Sequence, residues 1–553
     1  SPNGRIYQYY LPSFRYNWQN TINYKADFGS AGRLDLIGGL EYEKTRARNF
    51  YAHGTDLTSI DFALNENIIS GSLTSQLLGG TASERAFQSY FARANYVLMD
   101  RYFLSATLRH DKISSLPHGN QGATLPGVSV GWDLAKESFF TSSFISQIKI
   151  RGGYAEVGNT NIGNYPYAGV FGAVLYGDNA ALRYSRAGNG DLKFETSKKI
   201  NAGVDMAFLN DRFTFSADFF RNDIDNMILA VPTPPSLGVP DNTIRQNVGR
   251  MYNQGFEFAI GGNIITGEHF SWTANLNATF VKNRIEELYA GNDITYSYHI
   301  NREGESVGSF YGYKYHGVNP QNGNAVYDTR YKDANGDLQS RLVQYNPSSV
   351  AALNGYRLYD PEDPTNVSQA ATIGEKQMLG SGIPTWYGGF NNTLAYKGFD
   401  LTLNMAYSGG NKVYNQTRQD VLNGQDFRNA GRELLDRWTT AGQQTDVPRV
   451  VYGRGGSMNL EGSANSRFLE KGDFLRMRAI GLGYSFKNAA FLRTARIASL
   501  RLFAQAENVF VITNYSGVDP ELTSLSTNNS QPGLDNKSNP VPRTFTFGLN
   551  VGF

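Results

Sequence analysis

The chain closes on "RTFTFGLNVGF", Arg543 to Phe553, and this stretch decides the fold. Phe545, Phe547, Leu549, Val551 and Phe553 alternate with Thr546, Gly548, Asn550 and Gly552. A side chain on every second residue points to the same side, so this is a strand with one apolar and one polar face. The pattern recurs upstream. In "FSWTANLNATF", Phe270, Trp272, Ala274, Leu276, Ala278 and Phe280 oppose Ser271, Thr273, Asn275, Asn277 and Thr279. In "RYFLSATLRHD", Tyr102, Leu104, Ala106 and Leu108 oppose Ser105, Thr107, Arg109 and Asp111. "KKINAGVDMAF" sets Ile200, Ala202, Val204, Met206 and Phe208 against Lys199, Asn201, Gly203 and Asp205.

Composition supports half-buried strands over a packed helical core. Of 553 residues, 34 are Tyr, 34 Phe and 59 Gly, while the mean hydropathy is only −0.41. Such a mixture suits sheets that bury one face. The net charge of +2 lacks the basic surplus of a nucleic-acid binder. With no cysteine, disulfide frameworks, thiolate metal sites and cysteine nucleophiles are excluded. No run of about 18 apolar residues exists, so no transmembrane helix is expected. Ser1-Pro2-Asn3 leads directly into strand-like sequence without a signal peptide, as in a processed chain or a piece of a longer one.

Two architectures accommodate such strands: a soluble sandwich or propeller, and an outer-membrane barrel. Many runs exceed the five or six residues usual in soluble sheets. Connections alternate short and long. Tight turns fall at Met99-Asp100, Leu209-Asn210-Asp211, Thr266-Gly267-Glu268 and Lys397-Gly398, and Tyr102, Phe213, Phe270, Tyr396 and Phe399 flank them. Long polar stretches lie near 49–86, 158–190, 285–384, 412–467 and 512–541. Together these features predict an all-β chain, a transmembrane antiparallel β-barrel of outer-membrane type with long extracellular loops. A barrel also satisfies every backbone N–H and C=O within lipid. The closing strand then turns Phe545, Phe547 and Phe553 to lipid, and a terminal aromatic of this kind resembles the signal read by barrel-assembly machinery.

About fifteen strands are expected, over 15–27, 32–48, 87–98, 101–112, 122–134, 145–157, 192–208, 212–226, 247–262, 268–284, 385–396, 399–411, 468–485, 497–511 and 542–553. Single-chain bacterial barrels have even strand numbers and both termini in the periplasm. An odd count with a descending last strand places further strands upstream of Ser1.

Several stretches carry a family resemblance: "SYFARANYVLMDRYFLSATLRHD" (Ser89–Asp111), "VGSFYGYKYHGV" (Val307–Val318), "IPTWYGGFNNTLAYKGFDLTL" (Ile383–Leu403), "DRWTTAGQQTDVPRV" (Asp436–Val450), "SRFLEKGDFLRMRAIGLGYSF" (Ser466–Phe486), "AENVFVITNYSGVDPE" (Ala506–Glu521) and "PRTFTFGLNVGF" (Pro542–Phe553). In this order they resemble the SusC/RagA-like TonB-dependent transporters of Bacteroidetes-type outer membranes. The resemblance implies a barrel of about 22 strands with an internal plug. It also implies a TonB box, a SusD-like surface lipoprotein as lid, and import of glycans or peptides driven by TonB with ExbB and ExbD. Two transporter–lipoprotein pairs associating into a dimer fit the same picture. No plug, TonB box or first strands can be read here. Residues 1–553 are therefore expected to be the C-terminal part of one barrel domain, with the plug and N-terminal strands outside this chain.

Candidate site residues fall into three groups. Polar residues on inner faces, Arg109, Asp111, Lys149, Arg151, Asp205 and Asp218, are expected to line the lumen or meet the plug. Loop aromatics Tyr165, Tyr167, Tyr176, Tyr296, Tyr298 and Tyr311, with Phe171, Phe310 and Tyr313, offer ring faces that stack on sugars or grip peptides. Packing of the loops on one another accounts for the same aromatics equally well. In "DANGDLQ", Asp333, Asn335 and Asp337 match the start of a calcium loop, although Leu338 replaces its glycine. A solvated Asn-Gly turn is the favoured reading, with a loosely held calcium or magnesium ion as its rival. No other cofactor is expected. "DFRNAGRELLDRW" (Asp426–Trp438) is expected as a loop helix. Six scattered histidines and the absence of a G-x-S-x-G elbow give no sign of an enzyme. The expected activity is TonB-dependent nutrient import, with a passive porin or an adhesive surface protein as alternatives.

Overall fold

The computed structural model describes residues 5–57, 72–345, 355–366, 370, 371, 373–424, 429–451, 464–486, 492, 494, 496–524 and 531–553. Sixteen long strands carry the fold. They are β1 (Arg5–Tyr10), β2 (Ser13–Asp27), β3 (Arg33–Leu57), β4 (Ser72–Leu98), β5 (Tyr102–Ile113), β6 (Gly122–Asp133), β7 (Ile145–Gly158) and β8 (Thr196–Phe208). The second half holds β9 (Phe213–Asp225), β10 (Arg250–Thr266), β11 (Phe270–Glu287), β12 (Trp386–Tyr396), β13 (Phe399–Gly409), β14 (Phe474–Phe486), β15 (Ser499–Thr513) and β16 (Thr544–Gly552).

Fifteen of these coincide with the strands read from the sequence. The additional one, β1, continues the lane of β2. Both pair with β3 in one register, Tyr10 opposite Phe50 and Ser13 opposite Ala47. The interruption falls at Leu11-Pro12, because proline has no N–H to give the ladder. One expected loop is also shorter than its polar composition indicated. β3 stays paired through Leu57 and β4 begins at Ser72, so the stretch 49–86 is largely hairpin. Register, once set by the band below, carries polar residues along with it.

The chain divides into two compact units. The first comprises residues 1–140, 149–202 and 222–250, and the second 141–148, 203–221 and 251–553. In the first, the β1/β2 lane is followed by β3, β4, β5, β6, β7 and β8 in hydrogen-bonded order. In the second, the order is β9 to β16. Neighbours in sequence are neighbours in the sheet, and the pairs β3–β4, β4–β5, β5–β6, β13–β14 and β15–β16 are antiparallel, as in an up-and-down meander.

The tight turns are those expected. Met99 and Asp100 both have positive φ (52° and 53°), and Arg101 N–H bonds Leu98 O at 3.2 Å. Lys397 and Gly398 repeat this left-handed pair at 46° and 97°. Such turns match the twist of the strands they join.

At the other strand ends the loops have structure of their own. In the first unit, Val170–Tyr176 and Asn179–Arg186 form a hairpin, and Ile113, Leu116, Leu192 and Phe194 form a small core. In the second, Ser309–Val318 anchors a sheet that includes Ala325–Lys332 and Leu338–Tyr345. A loop core gathers Tyr298, Phe310, Tyr414, Leu422, Ala464, Phe468 and Leu534. The helix expected over Asp426–Trp438 is not formed as such. Asp426, Phe427 and Arg428 lie outside the described residues, and only Arg432–Asp436 is helical, as a 3-10 turn. Gln416–Val421 forms a short α-helix, capped by Asn415, whose side chain accepts from Arg418 N.

Candidate functional site

Cross-strand pairing fixes which residues share a face, since directly opposed residues point the same way. In the first unit Glu41, Ser89 and Asp111 form one row. Arg109 joins them: its Nε donates to Asp111 Oδ1 at 2.6 Å and its Nη2 to Glu41 Oε2 at 3.1 Å. Ser89 Oγ donates to Asp111 Oδ1 at 2.6 Å, and Asn17 Nδ2 to Glu41 Oε1 at 2.9 Å. This polar array edges a hollow of about 660 Å³ lined also by Gln19, Arg93 and Glu156. A second hollow on this unit, of about 490 Å³, holds Lys149 and Arg151. Lys149 Nζ sits 4.4 Å from the Phe103 ring centre, and Arg151 Nη1 donates to Asn201 Oδ1 at 3.2 Å. Asp205 and Asp218 are half-buried in the second unit. Glu41 and Asn17, which complete the Arg109 array, were not singled out in the sequence, although Glu41 and Glu43 sit on alternate positions of "EYEKTR".

The loop aromatics do not converge on one surface. Tyr165 and Tyr167 meet edge-on at 6.2 Å, and Tyr167 leans on the small core of the first unit. Tyr176 is exposed at the hairpin end. Tyr298 is a correction: it is 7% exposed, its ring 4.9 Å from that of Tyr414. Phe310, fully buried beside it, is another. Both rings go to the loop core because three polar loops have few other apolar groups with which to pack. Tyr296 is half-buried, and Tyr311 lies under the Arg302 guanidinium at 5.2 Å.

Asp333 behaves as a turn residue. Its Oδ1 accepts from the N–H groups of Asn335 and Asp337, both at 2.9 Å, and its Oδ2 from Gln339 Nε2 at 3.1 Å. Among the described residues no group of three or more His, Cys, Asp or Glu side chains is placed to hold a metal ion. Phe545, Phe547 and Phe553 are exposed on the apolar face and at its end.

The second unit contains a hollow of about 620 Å³ against the polar face. Its wall is built by two rows of the sheet. Asn277, Gly389 and Ala406 are opposed in one, and Tyr387, Ser408 and Phe474 in the next. Gly388 is required there. A β-carbon on it would stand 2.5 Å from the Tyr407 hydroxyl, which crosses it to donate to Asn277 O at 2.6 Å. A bulge at Arg478 re-aims that side chain to Glu521, on the loop after β15. Arg476, buried, pairs with Asp519 of the same loop. Asn411 and Thr523 also line the hollow, and Asn411 Oδ1 and Thr523 Oγ1 are buried without a hydrogen-bond partner among the described residues. The hollow thus offers an exposed ring and an ion pair. Sequence reasoning missed it, and the available signal was Tyr387, an aromatic on the polar parity of its strand.

Neighbouring loops are tied to this site from above. His299 Nε2 donates to Pro532 O at 2.9 Å, and Tyr414 N–H to Gly533 O at 2.8 Å. Burial pushes the His299 imidazole down to about 4, partly offset by its bond to Pro532 O. Arg418 donates to both Glu433 oxygens, at 2.8 and 2.7 Å, and holds that carboxyl below its usual range.

Residues 1–373 match the family model for the TonB dependent receptor-like beta-barrel. TonB-dependent receptor P3 of Formosa agariphila is 29% identical over 97% of this chain and 52% of its own length. TonB-dependent receptor SusC of Bacteroides thetaiotaomicron is 28% identical over 85% of this chain and 44% of its own. The chain therefore spans about half the length of these curated relatives. The solved structure of the RagAB peptide transporter superposes with a TM-score of 0.81 at 23% identity, covering 99% of this chain and 56% of that one. The two-faced strands, the tight turns and the paired register have the same explanation: the chain belongs to the TonB-dependent receptor β-barrel family of the bacterial outer membrane.

Proposed function

We propose that this chain forms the substrate-handling wall and outer loops of a SusC-like importer of oligomeric nutrients, glycans or peptides. The family membership is the observation that carries this reading. The hollow between Tyr387 and Glu521 adds to it. A ring face stacks on a sugar ring or a peptide side chain, while the Arg478–Glu521 pair meets hydroxyl or amide groups. Both classes of oligomer carry such groups, so the hollow is compatible with either. Its role is to hold and orient one unit of the oligomer without covalent chemistry. A SusD-like lipoprotein over the loops and TonB with ExbB and ExbD, acting through a plug segment, complete the proposal. Phe553, with Phe545 and Phe547, serves as the assembly signal.

Uptake of fluorescent oligosaccharides and oligopeptides by cells with and without the gene tests the reading. Uptake that requires both this gene and TonB supports it. Uptake that survives loss of TonB supports a passive pore, and an unchanged nutrient range in the deletion strain supports an adhesive role.

A further inference from the structure

We propose that the upper edge of the outer apolar face in the first unit binds the phosphate-bearing headgroup of an outer-leaflet glycolipid. On β3, Lys44, Arg46 and Arg48 occupy the same parity as Leu34, Leu36, Leu40 and Tyr42. On β5, Lys112 has the parity of Tyr102, Leu104, Ala106 and Leu108. The register agrees. Lys44 is opposite Tyr16, Arg46 opposite Phe14, and Lys112 opposite Gln88, which is itself opposite Tyr42. These four cations thus stand on the face that meets lipid, not on the polar face of Arg109. Lys44 and Lys112 lie two strands apart in neighbouring rows, on the order of 10 Å.

Their height is the second observation. Lys112 is ten residues beyond Tyr102, which flanks the tight turn, and Lys44 is ten beyond Leu34. A tilted strand climbs roughly 2.6 Å per residue, so both sit about 26 Å above that turn, where an apolar band of about 25 Å ends. Short turns mark the periplasmic side, so this edge belongs to the outer leaflet.

Charge is the third. Lys44 and Arg46 share a single carboxylate, that of Glu84. Arg48 and Lys112 are exposed and have no ionic partner among the described residues. Excess positive charge at a hydrocarbon edge is matched by anionic lipid headgroups. Beyond the basic row, Tyr10 and Phe50 are opposed and exposed on the same face. Their rings give a sugar something to stack on, which favours a glycolipid over a simple phospholipid. This inference needs only the outer-membrane barrel and is independent of the import reading.

Native mass spectrometry of the delipidated full-length receptor, titrated with diphosphoryl lipid A, dephosphorylated lipid A and inorganic phosphate, tests it. The wild type should hold diphosphoryl lipid A at least tenfold more tightly than the dephosphorylated form. The Arg46→Gln/Arg48→Gln/Lys112→Gln variant should lose most of that preference, a drop of about a hundredfold at full effect. Glu84→Gln should strengthen binding, an outcome that misfolding cannot imitate. Lys25→Gln, on the other face and near the turns, should change nothing. Equal binding by a triple variant of normal heat-modifiable gel mobility would overturn the proposal, as would equal binding of the two lipid forms. Full displacement by millimolar inorganic phosphate would also overturn it, in favour of a soluble anion.

Discussion

A ladder of arginines on β5 gives the sharpest test of which face meets lipid. Leu104 and Leu108 are 48% and 54% exposed, and their neighbours across the sheet are Tyr96 with Val130 and Ala92 with Pro126. At about 2.6 Å of height per residue above Tyr102, Leu104 stands about 5 Å into the apolar band and Leu108 about 16 Å. The midplane of a 25 Å band lies near 12 Å, so Leu108→Arg carries its charge close to the centre. It should cost about 2–4 kcal/mol, while Leu104→Arg, near the periplasmic edge, should cost about 1 kcal/mol. Ser105 is between them in sequence and on the other face. Ser105→Arg loses the bond from Ser105 Oγ to Asn95 Oδ1 at 2.7 Å, which is worth about 1 kcal/mol, and meets no hydrocarbon. The assay is urea-dependent folding into phosphatidylcholine vesicles, followed by tryptophan fluorescence and gel mobility. Equal costs at Leu108 and Ser105 would refute the assignment of faces. Equal costs at Leu108 and Leu104 would refute the depth scale on which the lipid-headgroup site also rests.

Three further outcomes follow from the loops and the hollow beneath them. His299 has a folded pKa of about 4 against about 6.5 unfolded, so above pH 6.5 it is neutral in both states and costs nothing; as pH falls to 4 the unfolded state alone takes the proton, and the loop core loses about 1.4 kcal/mol per pH unit, about 3 kcal/mol in all. Hydrogen exchange of the loops should accelerate over that window in the wild type and less in His299→Gln, which keeps a donor for Pro532 O. Replacing buried Arg476 by Met removes the partner of Asp519 and one of the two arginines on Glu521, and should loosen the loop after β15 by about 3–5 kcal/mol; the Arg476→Met/Asp519→Leu pair should recover the part owed to Asp519, since Arg478 still holds Glu521, with hydrogen exchange at residues 514–524 as the readout. Tyr387→Ala should weaken the apparent affinity for imported oligomer by up to about tenfold and leave assembly unchanged, measured by uptake and by gel mobility.

The lanes of the sheet were legible because their information is local. A period of two over ten residues, ended by Met99-Asp100 or Lys397-Gly398, specifies a strand, its faces and its neighbour at once. The departures have equally local causes. Pro12 divides one lane into β1 and β2 without changing its register. The polar stretch after Arg48 reads as loop although β3 carries it on as paired strand to Leu57, because backbone pairing does not require an apolar face outside lipid. Arg432–Asp436 has the apolar spacing of a helix but makes only a 3-10 turn, since Leu434 packs against the loop core instead of a helical neighbour.

The site was less legible because its information is not local. Tyr298, Phe310, Tyr414, Ala464 and Leu534 meet in one core across more than two hundred residues, and nothing within ten residues of any of them distinguishes a buried ring from an exposed one. Parity does better where a strand supplies the side chain. Arg109 and Asp111 could be placed on the polar face from alternation alone, and Tyr387 would have been found by asking which aromatics occupy polar parity. The same question put to charges on apolar parity finds Lys44, Arg46, Arg48 and Lys112. In a two-faced strand a residue on the wrong parity opposes the pattern that folds it, so it stays only where its surroundings differ from those of the rest of its face. For Tyr387 that is the hollow beneath Glu521, and for the four cations it is the upper edge of the membrane.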